Sequence, residues 1–136
     1  MGICQPDSVL GIKRLVRMNT REIGNRGEEK AAGWLLSEGF NIIDRNFRKR
    51  GFEIDIIAVD VKNVLRFIEV KTVEHGEMPD AFLSVENRNI ARYFAAADVF
   101  ICENPKYAGL EMGMDVLVVH GDKITRYENV TSGLVL

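Results

Sequence analysis

Between Phe40 and Thr72 the chain alternates apolar and polar residues in three short runs separated by turn signals, and a stretch of helical periodicity stands on either side. That order constrains the fold more than any other feature, because a period of two buries one face of a sheet while a period of 3.6 buries one stripe of a helix. The first helical stretch spans Asn19 to Gly39. Asn19 or Thr20 can cap it, Glu28 and Glu29 precede the apolar Ala31, Ala32, Trp34, Leu35 and Leu36, and Gly39 can close it. Glu28 shares a helical face with Ala31, Ala32 and Leu35, so this acid points where the apolar stripe points. Gly24 and Gly27 each weaken a helix by roughly 1 kcal/mol relative to Ala, and their presence predicts close packing or close approach.

Phe40–Phe47, a basic turn from Arg48 to Gly51, and Phe52–Val59 read as a hairpin. After a turn at Asp60–Asn63, Val64–Thr72 forms a third strand with Phe67, Glu69 and Lys71 on one face and Ile68 and Val70 on the other. The three can pair as a meander. Ile90, Tyr93, Phe94, Ala97, Phe100 and Ile101 predict a helix from Val85 to about Cys102 that packs on the sheet. A loop with Pro105 follows, then strands Met114–His120 and Ile124–Tyr127 joined at Gly121-Asp122. The order α-β-β-β-α-β-β makes this an α/β chain. Trp34, Tyr93 and Phe94 fall at core spacing, which favours packing over base stacking.

At 136 residues the chain fits one domain with a real core. Residues 1–18 read as an extension, since Met18 precedes the helix-start signal and could itself begin translation; residues 19–130 read as the domain and 131–136 as a tail. Cys4 and Cys102 have neither zinc nor redox spacing, which suits a reducing, cytoplasmic setting. No apolar run reaches the roughly 20 residues a membrane helix needs. The start resembles a myristoylation signal, but Pro6 stands where Ser or Thr is wanted.

A net charge of −2 argues against nucleic-acid binding, but its distribution argues the other way. Residues 1–50 carry ten Lys and Arg against six Asp and Glu, with Arg45, Arg48, Lys49 and Arg50 close together. Such a run is as often a solvated loop as a binding surface. More telling are the charges inside β runs: Glu53 and Asp55 open the second strand, and Glu69 and Lys71 interrupt the third. A carboxylate there is costly to bury unless paired or holding a metal. Two acids supply hard oxygen ligands for Mg²⁺ or Mn²⁺, and Lys71 can orient a water or offset charge on a phosphate. An edge strand with an exposed Glu–Lys pair would show the same residues. Glu28 alone is equally an acid at a helix start. His75 and His120 have no Ser or Cys partner pattern.

Taken in order, Gly24-x-x-Gly27-Glu28-x-x-Ala31, Arg45-Asn46-x-Arg48, Glu53-Ile54-Asp55-x-Ile57-Ala58, Phe67-x-Glu69-Val70-Lys71-Thr72 and Met114-Asp115-Val116 resemble the YraN-like family of predicted endonucleases. That family belongs to the restriction-endonuclease-like superfamily, with signature PD-(D/E)XK, and is similar to archaeal Holliday-junction resolvases. The resemblance covers about Asn19 to Asn129. It implies a central mixed sheet flanked by helices, a Mg²⁺ or Mn²⁺ cofactor on Asp55 and Glu69, Lys71 as catalytic lysine, Glu28 as an additional acid and Glu53 in the outer shell. DNA, branched or otherwise structured, is then the expected substrate, with Arg45, Arg48, Lys49, Arg50, Arg88 and Arg92 as candidate contacts. Many members of the superfamily act as dimers, so a homodimer is also expected. The chain departs from the family pattern at Phe52, where Gly is usual, at Gly113, where a basic residue is, and at Asn89, where Lys is. The competing expectation is a nucleic-acid- or protein-binding module that keeps this fold without cleavage.

Overall fold

The structure, a computed structural model, describes residues 25–49, 51–73 and 86–128, with backbone alone for Phe52 and residues 86–92. Helix α1 is described from residue 25 to 37. It ends as its sequence dictates. Gly39 adopts φ +88°, the Gly39 amide donates to Leu36 O and the Phe40 amide to Leu35 O, so a left-handed glycine caps the helix and folds Phe40 back onto Leu35. Strands β1 (Asn41–Lys49), β2 (Phe52–Val59) and β3 (Leu65–Thr72) follow as an antiparallel meander. Helix α2 (Glu86–Glu103) and a short 3₁₀ turn (Pro105–Tyr107) lead to β4 (Met112–His120), which pairs parallel with β3, and β5 (Lys123–Tyr127) closes antiparallel on β4. The result is a five-stranded open mixed sheet in sequence order, with two helices.

Each helix covers one face. Ala31, Ala32 and Leu35 of α1 pack with Ile56, Ala58, Ile68, Leu117 and Val119. Tyr93, Ala96, Ala97 and Phe100 of α2 pack with Phe47, Ile57, Leu65, Phe67 and Met114 on the other side. Phe100 holds this second core by edge-on contacts to Phe47 and Phe67 at 5.4 and 6.1 Å. The alternation expected of β3 is therefore seen: Phe67 lies toward α2 and Ile68 toward α1.

Three expectations need correction. Arg48 and Lys49 belong to β1 and not to the turn, because β1 pairs with β2 out to Lys49 and Gly51, at φ +83°, makes the reversal alone on the described side. β4 begins two residues earlier than expected, at Met112. Leu36 and Phe94 are 61% and 37% exposed, because the sheet covers a narrower stripe of each helix than the apolar pattern suggests. Gly24 and the helix start at Asn19 or Thr20 lie outside the described residues.

At the end where β3 and β4 begin, five charges interlock. Arg66, 4% exposed, contacts Asp60, Asp115 and Glu128 at 3.1, 3.3 and 3.1 Å, and Arg126 donates to Asp115 at 3.0 Å while stacking on Phe40. Arg66 is in register with Gly113 on the neighbouring strand. Burial would raise the Asp60 carboxyl, but the amides of Val64 and Lys62 and the Arg66 guanidinium together hold it below the usual range.

The expected close approach at Gly27 is seen: a Cβ there would collide with the Thr72 hydroxyl at the end of β3, whereas Gly33 has nothing within 4 Å. Urea denaturation should therefore show Gly27→Ala destabilised by about 1–3 kcal/mol and Gly33→Ala stabilised by roughly 0.5–1 kcal/mol. Asp115→Ala removes the buried acid shared by the Arg66 and Arg126 guanidinium groups and should cost about 3 kcal/mol in the same measurement.

Candidate active site

The site forms where β2 and β3 stop pairing. Their ladder runs from Val59↔Leu65 to Ile56↔Ile68, and the next pair in that register would be Asp55 and Glu69. Instead of a strand partner, the Val70 amide has the Asp55 carboxylate, to which it donates at 2.8 Å. On the other side of β2, the residue of β1 that falls opposite Asp55 is Asn46, which adopts φ +55°. Asn tolerates this left-handed conformation better than most residues with a Cβ. The splayed strand ends leave a cleft of 310 Å³ lined by Gly51, Glu53, Asp55, Glu69, Val70, Lys71 and Tyr93.

Charge in the cleft is predominantly negative. The Lys71 ammonium lies 2.6 Å from a Glu69 carboxylate oxygen, and the two project from the same face of β3. Asp55 is pushed up to about 6, first by burial and then by the nearby Glu28, Glu69 and Glu53, with the Val70 amide pulling the other way. Glu28 is also raised, mainly by burial, against the lowering effect of Arg45. α1 thus brings a fourth acid to the same neighbourhood, by way of the glycine-permitted contact with Thr72.

Among the described residues no three His, Cys, Asp or Glu side chains form a metal-binding group. Asp55 and Glu69 are hard oxygen donors of the kind that Mg²⁺, commonly held by one or two carboxylates with water and substrate oxygens, would take.

Asp55, Glu69, Lys71 and Glu53 line one cleft. Glu53 is at its exposed lip, where Arg48 donates to it at 2.7 Å. The expected nucleic-acid contacts on β1 are all engaged with acids: Arg45 with Glu29 at 2.9 Å, Arg48 with Glu53, and Lys49 with Glu103 at 3.4 Å. Such exposed pairs contribute about 0–1 kcal/mol and are readily exchanged for a phosphate. Arg50 lies outside the described residues, as do His75 and the side chains of Arg88 and Arg92; Asn89 also has only its backbone described. His120 is exposed at the end of β4. Sequence reasoning assigned Tyr93 to packing alone, but the residue both joins the α2 core and reaches the cleft wall. Helical periodicity identifies its face and gives no signal of the second role.

Because Asp55 binds its proton more tightly folded than unfolded, its favourable contribution is complete below about 3.8 and is lost as pH rises through about 6. Asp55→Asn keeps an oxygen for the Val70 amide and removes the charge. The variant should melt higher than wild type at pH 7.5, by about 1–3 kcal/mol, with the gain shrinking through pH 6 to 4 and absent below.

Residues 27–119 match the model of the uncharacterised protein family UPF0102. A UPF0102 protein of Fusobacterium nucleatum is 34% identical over 116 residues, covering 85% of this chain and 96% of its own. One from Helicobacter pylori strain P12 is 34% identical over 118 residues, covering 87% and 98%. A third, from Prosthecochloris aestuarii, is 42% identical over 84 residues, covering 60% and 63%. The span of the family match takes in Glu28, the whole cleft of acids and Lys71, and both core-forming helices, so the chain belongs to the uncharacterised protein family UPF0102.

Proposed function

We propose that the chain is a metal-dependent endonuclease of restriction-endonuclease-like fold, which hydrolyses phosphodiester bonds in branched or otherwise structured DNA. One observation carries the proposal: Asp55 and Glu69 flank the point where two adjacent strands part, with the Lys71 ammonium 2.6 Å from Glu69, all in one cleft. Resemblance to the YraN-like endonucleases supports the same reading.

Asp55 and Glu69 would hold Mg²⁺ or Mn²⁺, which when bound lowers the pKa of a water and polarises a phosphoryl oxygen. The chain's own residues do the rest. The Val70 amide fixes the Asp55 carboxylate in place, so that its orientation does not depend on the cation. Lys71 stands where it can orient the attacking water or offset charge developing on the phosphate. Arg48, released from Glu53, can receive a phosphate at the lip of the cleft.

A second reading is a binding module without cleavage, in which Arg45, Arg48 and Lys49 exchange their weakly held carboxylate partners for groups of a ligand. Wild type, Asp55→Ala and Lys71→Ala incubated with single-stranded, duplex, flapped and four-way DNA in Mg²⁺ and in Mn²⁺ separate the two. The nuclease reading predicts cleavage of at least one structured substrate by wild type and a loss of roughly 10²-fold or more in each variant. Cleavage that persists in Asp55→Ala points to a contaminant and overturns it; DNA binding without cleavage establishes the second reading.

A further inference from the structure

The cleft has a wall that the strands do not provide. Six of its seven lining residues come from β2, β3 and the turn before β2, and the seventh is Tyr93 of α2. Tyr93 is 8% exposed and belongs to the cluster of Phe47, Ile54, Phe67, Ala97 and Phe100. Packing of that kind immobilises the ring, and a buried tyrosine characteristically places its apolar body in the core and its hydroxyl at the polar boundary. Tyr93 lines the cleft from the α2 side.

Of the charged groups lining the cleft, Lys71 on β3 is the cation, and none comes from the α2 side. Glu53, Asp55 and Glu69 are acceptors when ionised and repel a phosphodiester, and the cleft's lysine is drawn to Glu69 at 2.6 Å. A phosphate oxygen directed toward α2 would need a donor that adds no negative charge and holds its position without a flexible stem. A phenol meets both requirements: it is neutral at physiological pH and its hydrogen bond to an ionised acceptor is a strong one. Resting on the nuclease reading, we propose that Tyr93 is a substrate-contacting residue whose hydroxyl binds a non-bridging oxygen of the phosphodiester from the α2 side of the cleft.

Tyr93→Phe keeps the ring and its packing and removes only the hydroxyl. The test measures binding of the best-cut DNA in Ca²⁺, which occupies oxygen sites of this kind, together with steady-state cleavage in Mg²⁺, metal affinity in the absence of DNA, and thermal unfolding. The contact predicts DNA binding weakened about five- to tenfold, KM raised by the same factor, metal affinity unchanged and a melting temperature close to that of wild type. Tyr93→Leu, which also removes the ring, should lower stability as well. Unchanged DNA affinity and KM in Tyr93→Phe overturn the inference while leaving the nuclease reading intact. A loss of stability matching the loss of binding overturns it in favour of a packing role. Wild type that neither binds nor cuts DNA overturns the nuclease reading, and this inference with it.

Discussion

One hydrogen bond organises the cleft end of the molecule: the Val70 amide donating to the Asp55 carboxylate at 2.8 Å. A strand that parts from its neighbour leaves a backbone donor without a partner, and burying such a group costs on the order of 1–3 kcal/mol. Asp55 supplies the partner from its side chain. The strands can then diverge without that penalty, and the divergence is what opens the cleft. Because the same carboxylate closes the gap and faces the cleft, structure and chemistry meet in one residue. The consequence is electrostatic frustration, with Asp55 pushed up to about 6 by burial and by Glu28, Glu69 and Glu53. Strained charge of this kind is a common mark of a functional site.

The rest of the fold keeps that arrangement rigid. The ion-pair network of Asp60, Arg66, Asp115, Arg126 and Glu128 ties the turn between β2 and β3 to β3, β4 and β5 at the end where β2 and β3 are paired, away from the cleft where they part. Gly27 lets α1 come down on Thr72, the residue after Lys71, and this places Glu28 near the acids. Asn46, at φ +55°, falls opposite Asp55 on β1 at the same level. Three local features of different kinds therefore converge on one end of the sheet.

Much of this was legible in the chain. Period-two alternation identified β3 and put Glu69 and Lys71 on one face, because that inference needs only local geometry. The cost of charge in a β run singled out Asp55 and Glu69 for the same reason. Gly39 announced the end of α1, and Gly27 announced a close approach though not its partner. Partners are where the sequence was silent. Nothing local says that Arg66 lies beside Gly113 across a parallel pair, that Arg48 pairs with Glu53, or that Tyr93, while packed in its core, also lines a cleft formed by strands some 22 residues and more before it. Leu36 and Phe94 misled in the opposite direction, since an apolar residue at helical spacing is buried only as far as the opposing surface reaches.

The central claim is that Asp55 and Glu69 converge tightly enough to share a hard cation. Crystals soaked in Mn²⁺ and measured at a wavelength where manganese scatters anomalously test it without reference to activity. The account predicts an anomalous peak in the cleft, about 2.0–2.3 Å from an oxygen of each carboxylate, with Asp55 still bonded to the Val70 amide. An empty cleft, or a peak that touches only one of the two acids, would contradict it.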